Sequence, residues 1–408
     1  MNRIYHERFT IMQNNIQKQQ LFIASCLALL VTSLSFGIRA GILDPLGKEF
    51  ELDPGQLGIV TSTGIWGFPL AVIIGGFLVD IIGMKKLLLV AFVFHLAGIL
   101  LTVFAGGYWG LFISTLCIGI ANGTVEAACN PLVATIYPDN KTTKLNHFHL
   151  WFPGGIVIGT LIVYFLSKAG IGWQVQVGLM VIPTLLYGYF FSKLDFPVTE
   201  RVASGISASS MYKSLLNPLF LIMIMLMFGT GITEISTNQW ISVLLKNVND
   251  NALLLLTIQT GIMVIGRGFA EPVVSRISHS GILFISAVLS ALGLYIMGHT
   301  TGNMLFVGAI IFGMGVCYFW PTMLGFVSEN LPETGAVGLN LMGGAGMFAA
   351  SMYIMFIGKQ FTALQAKSLP PAQAGQAVLN TTLLIPVFLS VAFAVLFLYM
   401  RNKNKVAA

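Results

Sequence analysis

Glu126 is followed four residues later by Asn130, and Pro131 comes directly after, in a stretch, 111–137, that is otherwise apolar. One helical turn separates the two polar side chains, so they share a helix face. A carboxylate in the middle of a membrane helix costs about 2.5 kcal/mol or more on insertion scales, and such residues mark proton or substrate sites. The chemistry on offer is proton uptake and release. Burial raises a carboxylate's affinity for a proton and a nearby cation lowers it, so a conformational change can switch it between the two. His147 and His149 open a later apolar run. An imidazole there is either a structural group near an interface or a relay, because it titrates near neutral pH.

Arg39 and Asp44 sit five positions apart in another apolar run. At 100° per residue they point about 140° apart, so they form no good intrahelical pair. Arg39 must find a partner elsewhere, and Glu126 is the expected one. Asp44 precedes Pro45, which disfavours helical geometry at Asp44. It either ends the helix at the outer interface or forms part of a site. Further along, Thr233, Thr237 and Trp240 share one helix face, and Glu234 and Asn238 the neighbouring one. Hydroxyls, amides and an aromatic ring suit a polyol, since each hydroxyl donates and accepts. A polar helix interface would use the same set. Arg267 and Glu271 are four apart and able to pair with each other. Trp66, Tyr318, Trp320 and Asn340 are candidate pocket linings.

Elements that could position these groups must be membrane helices. The chain is 56% hydrophobic and 9% charged over 408 residues, against roughly 25% charged in an average soluble domain. Twelve apolar segments approach the ~20 residues a span needs: 21–45, 57–79, 86–106, 109–136, 147–167, 173–194, 217–245, 252–275, 281–299, 303–328, 335–358 and 378–400. The run beginning at Leu21 is too long for a signal segment and reads as a retained helix. With the N-terminus inside, fourteen Lys and Arg fall in cytoplasmic segments and five, Lys48, Lys168, Lys246, Lys359 and Lys367, in outer loops. That bias predicts a multi-pass protein of the inner or plasma membrane with both termini cytoplasmic. Glu329 and Glu333 are the exception, expected to face the cytoplasm without a basic partner.

The longest polar stretch between spans separates two sets of six. The expected organisation is a tail at 1–20, a six-helix half at 21–194, a serine-rich linker at 195–216, a second half at 217–400 and a tail at 401–408. The fold class is therefore an all-α integral membrane protein of twelve transmembrane helices in two pseudo-repeats, with a site between the halves. The four cysteines suit packing, no metal site or cofactor motif is present, and a P-loop is absent. The net charge of +6 lies at span ends, where it sets topology and does not suggest nucleic acid.

The loop between the second and third spans holds Gly76, Asp80, Gly83, Lys85 and Lys86. This spacing resembles the signature loop of the major facilitator superfamily, although Ile81 and Met84 stand where arginines are usual. The resemblance implies that the loop latches the cytoplasmic side. Glu126 to Pro131, with Thr142, Thr143, Lys144, Leu145 and Asn146 after it, resembles the L-fucose permease group of sugar–proton symporters, and Asp44 stands where that group has its other key acid. Arg39, Pro45, His149 and the sequence Trp151-Phe152-Pro153 depart from it. The resemblance implies a monomeric secondary transporter that moves a sugar or similar small polar solute with protons by alternating access. Asp44, Glu126 and His149 would serve coupling. Arg39, Trp66, Asn130, Thr233, Glu234, Asn238, Trp240, Tyr318 and Asn340 would bind solute. Alternatives are an organic-anion or drug transporter of the same fold, with Arg39 as counter-ion, and a transport-inactive sensor.

Overall fold

A bilayer offers no partner for a free backbone amide, so a chain this apolar must bond each amide within its own segment. The computed structural model describes residues 2–52, 54–245, 248 and 252–407, and they are helical with no strand among them. The protein crosses the membrane twelve times. The first half comprises Asn2–Glu49, Pro54–Ile82, Met84–Val103, Tyr108–Ile136, the pair Lys141–His149 and Trp151–Lys168, and the pair Trp173–Gly178 and Val181–Lys193. The second comprises Pro218–Gly231 continuing to Leu245, then Ala252–Gly268 with Ala270–Val274, His279–His299, Met304–Val316 with Phe319–Asn330, Gly335–Ala366 and Pro371–Ala407. Two short helices, Glu200–Ala203 and Ala208–Ser214, lie between the halves. An even number of crossings puts both chain ends and this connection on one side, called here the termini face.

Among the described residues, eleven helices are long and apolar enough to span alone. The eighth crossing is the exception: it breaks at Phe269, so the expected continuous run 252–275 is two pieces. The first span corrects a second expectation. Its helix runs through Pro45 without a break, as membrane helices tolerate.

Lipid and protein faces separate by helical period. On the last span Leu384, Phe388, Val391 and Val395 are exposed, whereas Leu389, Phe393 and Leu396 are buried. Lipid supplies no hydrophobic drive between helices, so close backbone approach must hold them. Gly119 and Gly123, four apart on the fourth span, do this. A Cβ at Gly123 would fall 2.2 Å from the Phe68 carbonyl, and one at Gly119 2.7 Å from that of Gly64, both on the second span. Polar glue adds to it. His95 bonds the Tyr187 hydroxyl and Asn122, each at 2.8 Å, and Asn122 Nδ2 donates to Ser35 Oγ at 3.1 Å. That chain ties the first, third, fourth and sixth spans together.

Candidate functional site

Among the described residues five spans depart from regular α-helix. The sixth does so at Leu179 and Met180, and the other four depart near one cluster. The fifth breaks at Leu150, the seventh carries a π-helical turn at Ile232–Ser236, the eighth breaks at Phe269, and the tenth at Cys317 and Tyr318. π-Turns frequently mark functional sites, and non-helical backbone at membrane depth is tolerated only where protein or a cavity surrounds it. These four irregularities converge on that cluster.

In the first half, Asn130 Nδ2 donates to Glu126 Oε2 at 2.6 Å, the one-turn pairing that their spacing allows. Asn130 Oδ1 meets His149 Nε2 at 2.9 Å, and His149 Nδ1 lies 3.9 Å from Glu126 Oε1. The three side chains are buried. In the second half, Arg267 Nη2 donates to Glu234 Oε1 at 2.7 Å, and both residues are again buried. Arg267 Nε donates to the Cys317 carbonyl at 2.7 Å, and Nη1 crosses to the first half to reach the His149 carbonyl at 2.9 Å. A cavity of about 20 Å³ lies between the halves, lined by Glu126 and His149 on one side and Glu234, Arg267 and Trp320 on the other. It has room for about one water. Glu234 Oε2 and Trp320 Nε1 are buried there without hydrogen-bond partners among the described residues.

Glu126, Asn130, His149 and Glu234 thus come together. Several other expected site residues do not. Arg39 is not paired with Glu126. Its guanidinium lies against Gly64 and Thr115, with Cζ 5.8 Å from the Phe36 ring centre. Thr115 precedes Glu126 by eleven positions on one helix, about 16 Å at 1.5 Å per residue. The Asp44 side chain lies outside the described residues. Trp66 is 41% exposed and packs edge-on against Phe348 across the halves, away from the cavity. Thr233 is satisfied by the Gly229 carbonyl of its own helix at 2.8 Å. Asn238 accepts from Gln259 of the eighth span. Trp240 packs over Gly358 in its own half. Tyr318 donates to the Gly266 carbonyl at 2.6 Å, bracing the tenth span against the eighth. Asn340 Nδ2 donates to the Ala127 carbonyl at 2.9 Å, joining the halves outside the cavity.

Arg267 is the residue the sequence reading undervalued. The intrahelical partner four residues on, Glu271, drew attention from the cost of an arginine within an apolar run. That cost is the same signal that singled out Glu126. The structure replaces the Arg267–Glu271 pair with Arg267–Glu234, because the break at Phe269 interrupts the helix between Arg267 and Glu271.

Toward the termini face the halves are closed. Thr142 donates to Glu329 Oε1 through Oγ1 at 2.7 Å and through its amide at 3.3 Å. His279 Nε2 lies 2.9 Å from Thr142 Oγ1 and 3.5 Å from Glu329 Oε2. Glu329 therefore has a basic neighbour after all, brought by the fold from another span. Lys141 pairs with Glu200 at 2.8 Å and reaches the Ser328 carbonyl at 3.5 Å. In the loop between the second and third spans, Asp80 accepts from Arg201 Nε at 2.6 Å and from Thr199. Lys85 donates to the Leu194 carbonyl at 2.8 Å, and Lys86 is exposed. Gly83 has φ +87°, which glycine adopts without strain. Gly76 lies against Asn340.

Residues 25–352 match the family profile described as Major Facilitator Superfamily. A D-xylose transporter of Levilactobacillus brevis is 30% identical over 172 residues, covering 41% of this chain and 37% of that protein. Facilitated glucose transporter member 10 of solute carrier family 2 from Xenopus laevis is 29% identical over 161 residues, covering 39% of this chain. The chain spans 29% of that second relative's length. The E. coli fucose:proton symporter superposes with a TM-score of 0.71 at 16% identity, covering 90% of this chain and 98% of that one. A human organic anion transporter superposes at 0.66 and 14% identity, covering 92% and 99%. At such identities the likeness is one of fold.

Proposed function

Because the chain belongs to the Major Facilitator Superfamily, we propose that it is a secondary transporter that carries a sugar or similar small polyhydroxylated solute together with protons by alternating access. The observation that carries this reading is the composition of the central cavity. A carboxylate, Glu126, is held by Asn130 beside His149, and across from it stand an acceptor, Glu234 Oε2, and a donor, Trp320 Nε1, both unpartnered. A hydroxyl donates and accepts, so it can meet both orphans at once. The cavity is too small for a sugar as it stands, so the halves part to admit one.

An anion-transporter reading needs a cation with a hydrogen-bond direction to spare. Arg267 is engaged by two carbonyls and Glu234, whereas Arg39 Nη2 is buried without a partner among the described residues, so an anionic solute would have to be met by Arg39, about three turns from Glu126. The likeness to a human organic anion transporter is one of fold and does not distinguish the two. In this reading Glu126 carries the proton, Asn130 orients it, and His149 is its neighbour for transfer. The bias of lysine and arginine orients the termini face to the cytoplasm, where the loop from Gly76 to Lys86 serves as latch.

Uptake into proteoliposomes of a panel of pentoses, hexoses, nucleosides and carboxylates, with and without an inward proton gradient, tests the assignment. Gradient-driven accumulation of a neutral sugar is expected. Accumulation of carboxylates alone, or indifference to the gradient, overturns it.

A further inference from the structure

Two carbonyls that Arg267 binds share a feature beyond their position. A helical carbonyl at i accepts from the amide at i+4, and proline has no amide to give. Residue 153 is proline, which frees His149, and residue 321 is proline, which frees Cys317. These are the carbonyls that Arg267 Nη1 and Nε reach, at 2.9 and 2.7 Å. Asn340 repeats the arrangement. It bonds the Ala127 carbonyl at 2.9 Å, and residue 131 is proline.

Prolines in membrane helices commonly have their freed carbonyls satisfied by a neighbour. What is particular here is the source of the donor. Two of these three bonds join one six-helix half to the other: Arg267 to His149, and Asn340 to Ala127. Each must break for the halves to part along it. Arg267 also holds a carbonyl of its own half and Glu234, so the donor is fixed before it crosses.

We propose that Arg267 is a positioning residue that bolts the two halves together at the proline-freed carbonyl of His149, with Pro153 as the keeper of that bolt. While the halves are together the carbonyl has its donor. When they part, it faces the opened site without one, and Arg267 stays behind on Cys317 and Glu234. The bolt therefore sets how far the equilibrium lies toward the closed site, whatever solute the site accepts.

The measurement is the distance between spin labels on Ile171 and Met304, exposed residues at the ends of spans in opposite halves on the face away from the termini, read by pulsed electron resonance on the full chain in nanodiscs. Arg267→Met removes the bolt. Pro153→Ala returns an amide to the His149 carbonyl, so Arg267 meets a competitor. Both variants are expected to shift population toward longer distances. Arg267→Lys, with one point donor, is expected to fall between them and wild type. Pro386→Ala, in the last span, is the control and should leave the distribution unchanged. Pro153→Ala removes no buried partner, so it decides the matter even if Arg267→Met does not fold. Distributions for Pro153→Ala that overlay wild type, or an equal shift in Pro386→Ala, would overturn the proposal.

Discussion

Glu126 and Arg267 are both ions buried at membrane depth, yet their surroundings ask different things of them. Glu126 accepts one strong hydrogen bond from Asn130, has an imidazole at 3.9 Å, and shares its cavity with Arg267, which is bonded elsewhere. A carboxylate so lightly compensated can change its protonation state when the neighbourhood rearranges. Glu126→Gln keeps a side chain of the same shape beside Asn130 and removes the titration. It is expected to abolish gradient-driven accumulation and the pH dependence of uptake while solute exchange persists, measured by counterflow in proteoliposomes. Accumulation at the wild-type level would discard the coupling role. Arg267, by contrast, is compensated on every side. Removing one partner of a buried pair costs about 3–5 kcal/mol, whereas replacing both with apolar groups is often neutral. Arg267→Met is therefore expected to lower the melting temperature in detergent sharply. Arg267→Met with Glu234→Leu should recover most of it without restoring the closed distance distribution. A double variant as unstable as the single would show that the ion pair is not the source of the cost.

At the scale of single elements, irregularity and close approach divide the work. The fifth, seventh, eighth and tenth spans carry the breaks that aim carbonyls and side chains inward, and the second and fourth spans supply the rigid wall. Their contact is backbone on backbone at Gly119 and Gly123. Gly123→Val would drive a side chain into the Phe68 carbonyl, which cannot move aside without shifting the second span. Overpacking of this sort costs typically 1–3 kcal/mol, and this contact also sets the face that presents Glu126, one turn further on. Gly123→Val should reduce folded yield on size-exclusion chromatography, and whatever folds should transport poorly. Gly106→Val, at a glycine with open space around its Cβ position, should do neither.

On the scale of the whole molecule, the described state is closed on the termini face and collapsed around the central cavity. Alternating access requires that closure to be undone once per cycle. Gly325 of the tenth span lies over Thr142 of the fifth, and a Cβ there would fall 2.8 Å from the Thr142 Cβ. A disulfide wants about 3.5–4.5 Å between those atoms, so a slight parting suffices to form one. Thr142→Cys with Gly325→Cys is expected to cross-link under mild oxidant and to stop uptake, with recovery on reduction. Uptake at an undiminished rate in the fully cross-linked protein would mean that this face need not open.

The amino-acid sequence by itself determined the solvent, the number of crossings and the family. Apolar runs of spanning length leave the chain no other environment, and the spacing from Gly76 to Lys86 is local enough to read directly. It also marked Glu126, Asn130 and His149, because ionisable groups inside apolar runs stand out wherever they fold. Partners were a different matter. Arg39 and Glu126 are both conspicuous, but charge says nothing of depth, and the helices place them about three turns apart. Glu329 looked unpaired because its neighbours, Thr142 and His279, come from other spans and far along the chain. Arg267 was hidden by a plausible neighbour on its own helix, and only the break at Phe269 and the approach of the seventh span gave it Glu234. Prolines were visible from the start, whereas the donors that meet their freed carbonyls were not. A missing amide is a local property of one residue, but the group that compensates for it is chosen by which helix packs alongside, and that is decided only when the two halves close.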